Sequence, residues 1–89
     1  MRQVFQRQKF VRDLVWQIQR GKDGEVLFRI IRILAREGRL SGQFRPHKLS
    51  GKYDGLWECH IAHDWLLIYS VTDTEIILAR TGTYADLFE

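Results

Sequence analysis

Leu56-Trp57-Glu58-Cys59-His60-Ile61, Ala62-His63-Asp64 and Trp65-Leu66-Leu67-Ile68-Tyr69-Ser70-Val71 follow one another without a break. The first block alternates. Trp57, Cys59 and Ile61 point one way, Glu58 and His60 the other, which is the two-residue period of a strand. The second block is a tight hairpin loop. The third is nearly all apolar, as a central strand covered on both faces must be. Thr72-Asp73-Thr74 turns the chain again, and 75–81 reads as a last strand. Gly82 breaks that strand, and the chain closes with a short turn or helix through Phe88. Successive hairpins of this kind make an antiparallel sheet.

Upstream, residues 39–55 form a polar connection with the single proline, Pro46, and three glycines. A short strand around Lys48–Leu49 fits inside it. Before it come two helical patterns. Phe10, Val11, Leu14, Val15 and Ile18 share one helical face, and Val26, Leu27, Ile30, Ile31 and Leu34 repeat the spacing. Gly21 ends the first helix, Asp23 caps the second and Gly38 stops it. Each buried side chain of this size contributes roughly 1.5–3 kcal/mol, so two such faces must pack on a partner, and the sheet is the partner available. A short strand at residues 2–5 precedes them. The expected fold is α+β: two N-terminal helices packed on a curled antiparallel sheet, with the other sheet face partly open to a ligand.

The chain has 89 residues, one domain's worth, here taken as 1–89. Its apolar share of 45% is that of a globular protein and not of a disordered one. No apolar run approaches the ~20 residues of a membrane span, and the N-terminus lacks the apolar core of a signal peptide. One cysteine, Cys59, makes neither an internal disulfide nor a zinc site, so a reducing cytoplasm is the expected location. Net charge is +3, and ten of the fourteen cations are arginine. A planar, permanently charged fork suits phosphate, so nucleic acid or an acidic protein is the partner such a surface suggests. The same charges also fit an ordinary solvated surface.

All three histidines, His47, His60 and His63, lie in the β half. His60 falls on the strand face opposite Trp57, Cys59 and Ile61, with Asp64 across the hairpin to orient it. His47 arrives from the preceding connection; Arg80 and Tyr84 come from the last strand and the turn beyond. Metal-free RNA cleavage needs a base for the 2′-hydroxyl, an acid for the leaving 5′-oxygen, a cation for the phosphate and a surface for the base. Histidine fills either proton role near neutrality, arginine stabilises the phosphorane, and Phe88 or Trp65 offers a stacking plane. Each also has a structural reading, as a hydrogen-bonded surface histidine or a core aromatic. His60 and His63 at i, i+3 fall on opposite faces of a strand, which argues against a metal. Residue types and spacing alone describe a small basic α+β domain suited to binding RNA.

The blocks Pro46-His47-Lys48-Leu49-Ser50-Gly51, Leu56-Trp57-Glu58-Cys59-His60-Ile61, Asp64-Trp65-Leu66-Leu67-Ile68-Tyr69 and Arg80-Thr81-Gly82-Thr83-Tyr84 with Leu87-Phe88 resemble, in content and spacing, the YafQ branch of the RelE/ParE toxins. The likeness covers about residues 44–89 in motifs and the helical half in pattern. It implies the RelE-like microbial-RNase fold and ribosome-dependent, metal-independent cleavage of mRNA in the A site, giving a cyclic phosphate. Carried over residue by residue, it marks His47, His60, Asp64 and Phe88 as functional positions and Arg80 as the basic one. His63 has no counterpart and is left out of the set.

One position departs from the pattern. Tyr84 stands where the family usually carries a histidine that is a main proton-transfer candidate. A neutral tyrosine donates a proton but is a poor base at neutral pH. Other RelE-like toxins use tyrosine in this region. The expected site is therefore His60 with Asp64 and His47 for proton handling, Tyr84 as acid or hydrogen-bond donor and Phe88 against a base. Arg80, Arg45 and Lys48 serve the substrate phosphates, with no cofactor and no metal. The resemblance implies a cognate antitoxin, a toxin–antitoxin hetero-oligomer, and the ribosome and mRNA as partners, with no membrane. Two readings stand beside it: a ParE-like toxin that acts by binding another protein, and an RNA-binding domain without chemistry.

Overall fold

The computed structural model describes residues 1–89. Strand β1 (Gln3–Gln6) leads into helices α1 (Gln8–Gln19) and α2 (Gly24–Glu37); β2 (His47–Lys48), β3 (Trp57–Ala62), β4 (Trp65–Val71) and β5 (Glu75–Gly82) follow, and α3 (Tyr84–Phe88) ends the chain. Single 3-10 turns at Gly42–Phe44 and Gly51–Tyr53 punctuate the connection. The sheet runs β1-β5-β4-β3-β2. The two hairpins foreseen from residues 56–81 are present, and β4 is the central strand. The sheet is not wholly antiparallel, because β1 pairs with β5 in parallel. No hairpin joins those two strands. The long excursion through both helices frees β1 to run in either direction.

The face expected on α2 is the one that packs: Leu27, Ile30 and Leu34 are buried against the sheet. Asp23 Oδ1 accepts the Glu25 amide at 3.0 Å, and Gly38 ends the helix at φ 74°. The α1 face differs from expectation. Phe10 is buried and Leu14 half-buried, but Val11, Val15 and Ile18 remain exposed, and Gln17 is buried. The helix phase is set by Asp13 and Gln17, which turn inward because their partners lie on β5 and α3. A buried polar group costs about 1–3 kcal/mol if left unpaired, enough to outweigh a partly covered valine.

Nor does the second sheet face stay open. Leu66, Ile68 and Ala79 form a smaller core there with Tyr53 and Leu87. The 51–56 segment and α3 fold over it, and Tyr53 Oη donates to the Leu87 carbonyl at 2.8 Å. The three apolar sheet side chains on that face demand cover, and these segments are what supplies it. Any site is thereby pushed from the middle of the sheet to its rim.

Candidate nucleic-acid cleavage site

Strand register decides which side chains meet. Glu58 pairs with Ile68, and Ile68 with Arg80, so these three share one row across the sheet. A bulge in β5 between the partners of Ile68 and Tyr69 keeps Arg80 on that face. His47 of β2 sits beside Glu58, and His60 lies two residues further along β3, on the same side.

His60 lines a cleft of 690 Å³ with Gln43, Phe44, Arg45, Ile61, Ala62, His63 and Asp64. The β3–β4 turn builds one wall: Asp64 takes a left-handed conformation at φ 52°, which aspartate tolerates better than most residues. The 3-10 turn at Gly42–Phe44 builds the other and delivers Arg45 at φ 50°. His63, left out of the expected set, thus shares the cleft with His60. Asp64 does not take the orienting role assigned to it. Its Oδ1 accepts the Tyr84 backbone amide at 3.1 Å, and so ties the hairpin to the start of α3.

His47 is oriented from both ring nitrogens. Nδ1 lies 3.1 Å from the Arg45 carbonyl and Nε2 lies 3.2 Å from Glu58 Oε1. Glu58 is only 6% exposed, a carboxylate sunk beneath an accessible imidazole. Sequence reasoning missed it as a functional candidate, although the alternation that placed His60 on this face placed Glu58 there too.

Arg80 is engaged by its own protein. Nε and Nη2 donate to the Asp13 carboxylate at 2.6 and 3.2 Å, and Nη1 lies 3.4 Å from Tyr53 Oη. The hydrogen bond it donates to Asp13 is the chief reason its guanidinium is held even more firmly charged than usual. Asp13 also accepts the Thr81 amide at 3.2 Å. Apolar spacing gave no sign of Asp13, because the helix phase that turns it inward with Phe10 and Gln17 is set by partners on β5 and α3. Lys48 pairs with Trp57 and so shares the helix side of the sheet, away from His47 and the cleft.

Tyr84 and Phe88 stand one helical turn apart on α3, rings 5.0 Å apart, and Phe88 meets Tyr53 edge-on at 5.4 Å. Tyr84 is exposed at the rim. Trp65, the other stacking candidate, is 1% exposed and belongs to the core, so α3 carries the aromatic surface. The structure therefore brings His60, His63, Arg45 and Asp64 into one cleft. Tyr84 and Phe88 join it through Asp64, His47 with Glu58 lies beside it, and Arg80 and Lys48 do not line it. Chemically this is a polar cleft with one arginine, accessible imidazoles, neighbouring carboxylates and an aromatic edge. It suits phosphodiester cleavage by proton transfer.

Comparison with known proteins agrees with that chemistry. Residues 2–89 match the family described as the bacterial toxin of a type II toxin–antitoxin system, YafQ. The chain belongs to the YafQ family of bacterial toxins. It is 32% identical over 81 residues, 90% of this chain and 88% of the relative, to the mRNA interferase toxin YafQ of Escherichia coli strain B/BL21-DE3. The K12 relative of the same name aligns over a shorter stretch, 41% identical across 49 residues, which is 53% of that protein. The fold superposes on crystalline YafQ from E. coli BL21(DE3) with a TM-score of 0.92 at 30% identity, covering both chains fully.

Proposed function

We propose that this chain is an endoribonuclease toxin that cuts mRNA on the ribosome and is neutralised by a cognate antitoxin. The observation that carries the reading is His60 in a polar cleft with Arg45, His63 and Asp64, on a chain whose relatives are mRNA interferases. His60 transfers the proton at the scissile phosphodiester. His47, held between Arg45 and Glu58, is the second proton-handling group. Arg45 faces the phosphate; Arg80, held by the Asp13 carboxylate, braces β5 against α1. Tyr84 donates through its hydroxyl in place of the histidine usual in the family, and Phe88 packs on a base. The reaction is attack of a 2′-hydroxyl on its own phosphate, releasing a 5′-hydroxyl and leaving a cyclic phosphate. The E. coli YafQ that this chain resembles is found in complex with DinJ. A hetero-oligomer with an acidic antitoxin follows here by analogy, and ribosome-bound mRNA places the activity in the cytoplasm.

Ribosome-dependent cleavage by purified protein, read by primer extension, tests this. His60→Ala should fold, by circular dichroism, and cleave at least 100-fold more slowly, within the 10²–10⁴ range of general acid–base groups. Full-rate cleavage by a folded His60→Ala protein would remove His60 from the mechanism.

A further inference from the structure

We propose that Gln17, Asp86 and Arg20 form a clamp that positions the aromatic edge of the site; the proposal rests on the function just described. Asp86 Oδ2 accepts three donors: the Thr83 amide at 3.0 Å, Gln17 Nε2 at 2.9 Å and Arg20 Nη1 at 3.0 Å. Thr83 Oγ1 accepts the Asp86 amide at 3.1 Å in return, a reciprocal capping box. This box starts α3, whose residues Tyr84 and Phe88 form the rim.

A helix of five residues is too short to be stable alone. Its orientation must come from outside, and α1 is where it is anchored. The two anchors differ in weight. Arg20 and Asp86 are substantially exposed, and such a pair contributes at most about 1 kcal/mol. Gln17 is 1% exposed, so water does not compete for its amide, and its hydrogen bond is the sheltered one of the two.

Gln17 also carries an anomaly. Its Oε1 is buried and has no hydrogen-bond partner. For stability alone, an apolar side chain of equal size at this place would do as well or better. The amide therefore serves a directional purpose: its one satisfied end points at Asp86. Gly82 completes the device. A Cβ there would stand 2.9 Å from Asp86 Cβ, so only glycine lets α3 settle this close to β5. Gln17, 69 residues from Asp86 in sequence, thus acts on the reaction through Tyr84 and Phe88 without touching substrate. It is a positioning residue.

Gln17→Leu separates this role from a structural one because the two predict opposite signs. As a positioning residue, its loss leaves thermal stability unchanged or raised. Cleavage falls about tenfold, in kcat rather than KM. Amide exchange at Leu87 and Glu89, whose N–H groups close α3 onto Thr83 and Ala85, speeds up at least tenfold. In a Tyr84→Ala/Phe88→Ala background, followed at excess protein, the added loss vanishes, as expected of coupled residues. Asp86→Asn, at an exposed position, should reproduce both the kinetic and the exchange effects even if Gln17→Leu folds poorly. Unchanged exchange at α3 in both variants, or a loss that stays additive in the doubly substituted background, would overturn the clamp. Absence of cleavage by the parent protein would sink the nuclease reading and leave the exchange result to judge the clamp.

Discussion

The family resemblance implies a histidine where this chain has Tyr84, and the surroundings of Tyr84 define a test. Its backbone amide is bound to Asp64 and its ring rests on Phe88, so the main chain and ring plane are held while the residue stays exposed. Tyr84→Phe keeps both contacts and removes only the hydroxyl. We expect cleavage to fall at least tenfold, ~1.4 kcal/mol in barrier, with stability unaltered. Tyr84→His should stay active with an optimum nearer neutral pH, since imidazole titrates there. Equal rates for parent and Tyr84→Phe would assign the proton transfers to the histidines. At this scale the sequence was informative about residue types and less so about partners. His60 was placed correctly on its face by strand alternation alone. Asp64 was assigned to His60 because they are close in sequence, yet the hydrogen bond it makes, through Oδ1, is to an amide 20 residues away.

Helix boundaries were legible because capping chemistry is local. Gly38 illustrates why. Its φ of 74° belongs to the left-handed region, and a Cβ would fall 2.5 Å from the Arg2 guanidinium. Arg2 in turn donates through Nε to the Thr72 carbonyl at 2.7 Å and through its backbone amide to Ala35 at 2.8 Å. The helix end is thus knotted to the turn before β5. Gly38→Ala should destabilise the protein by about 1–2 kcal/mol in urea unfolding, from backbone strain and displacement of Arg2. Gly42→Ala, where a Cβ meets nothing within 4 Å and φ is unremarkable, should change stability by less than about 0.5 kcal/mol. Equal effects at the two glycines would refute the account. The face of α1 was not legible in the same way. Its apolar spacing pointed to Val11, Val15 and Ile18, and the buried polar pairs of Asp13 and Gln17 rotated it. Which polar residues are buried depends on partners from the far end of the chain.

Across the whole molecule, the two-sided core sets the response to alkali. Burial pushes the Cys59 thiol up to about 12, with the neighbouring Glu58 adding to it, and burial likewise raises the Tyr69 phenol. In the unfolded chain both ionise at lower pH than in the fold. The stability they contribute is therefore complete below the free thiol's range of about 8.5 and is lost as pH rises toward the folded values. Urea midpoints should decline between pH 9 and 11, less so in Cys59→Ala, and native Cys59 should resist a thiol reagent at pH 8 until the protein unfolds. Rapid modification of the native protein would contradict the burial. Charge is distributed unevenly on the same scale: residues 1–39 carry ten cations and four acids, residues 40–89 four cations and seven acids. The basic character thus belongs to the helical half and not to the strands that hold the cleft. By itself the sequence determined the α+β class, the helix ends, both hairpins and the face of His60, because periodicity and turn chemistry act over a few residues. Only the tertiary structure decided the parallel pairing of β1, the covering of the second sheet face, the capture of Arg80 by Asp13 and the clamp on α3. Each joins groups tens of residues apart, and the energy of a buried hydrogen bond or a covered leucine exists only once the chain has brought them together.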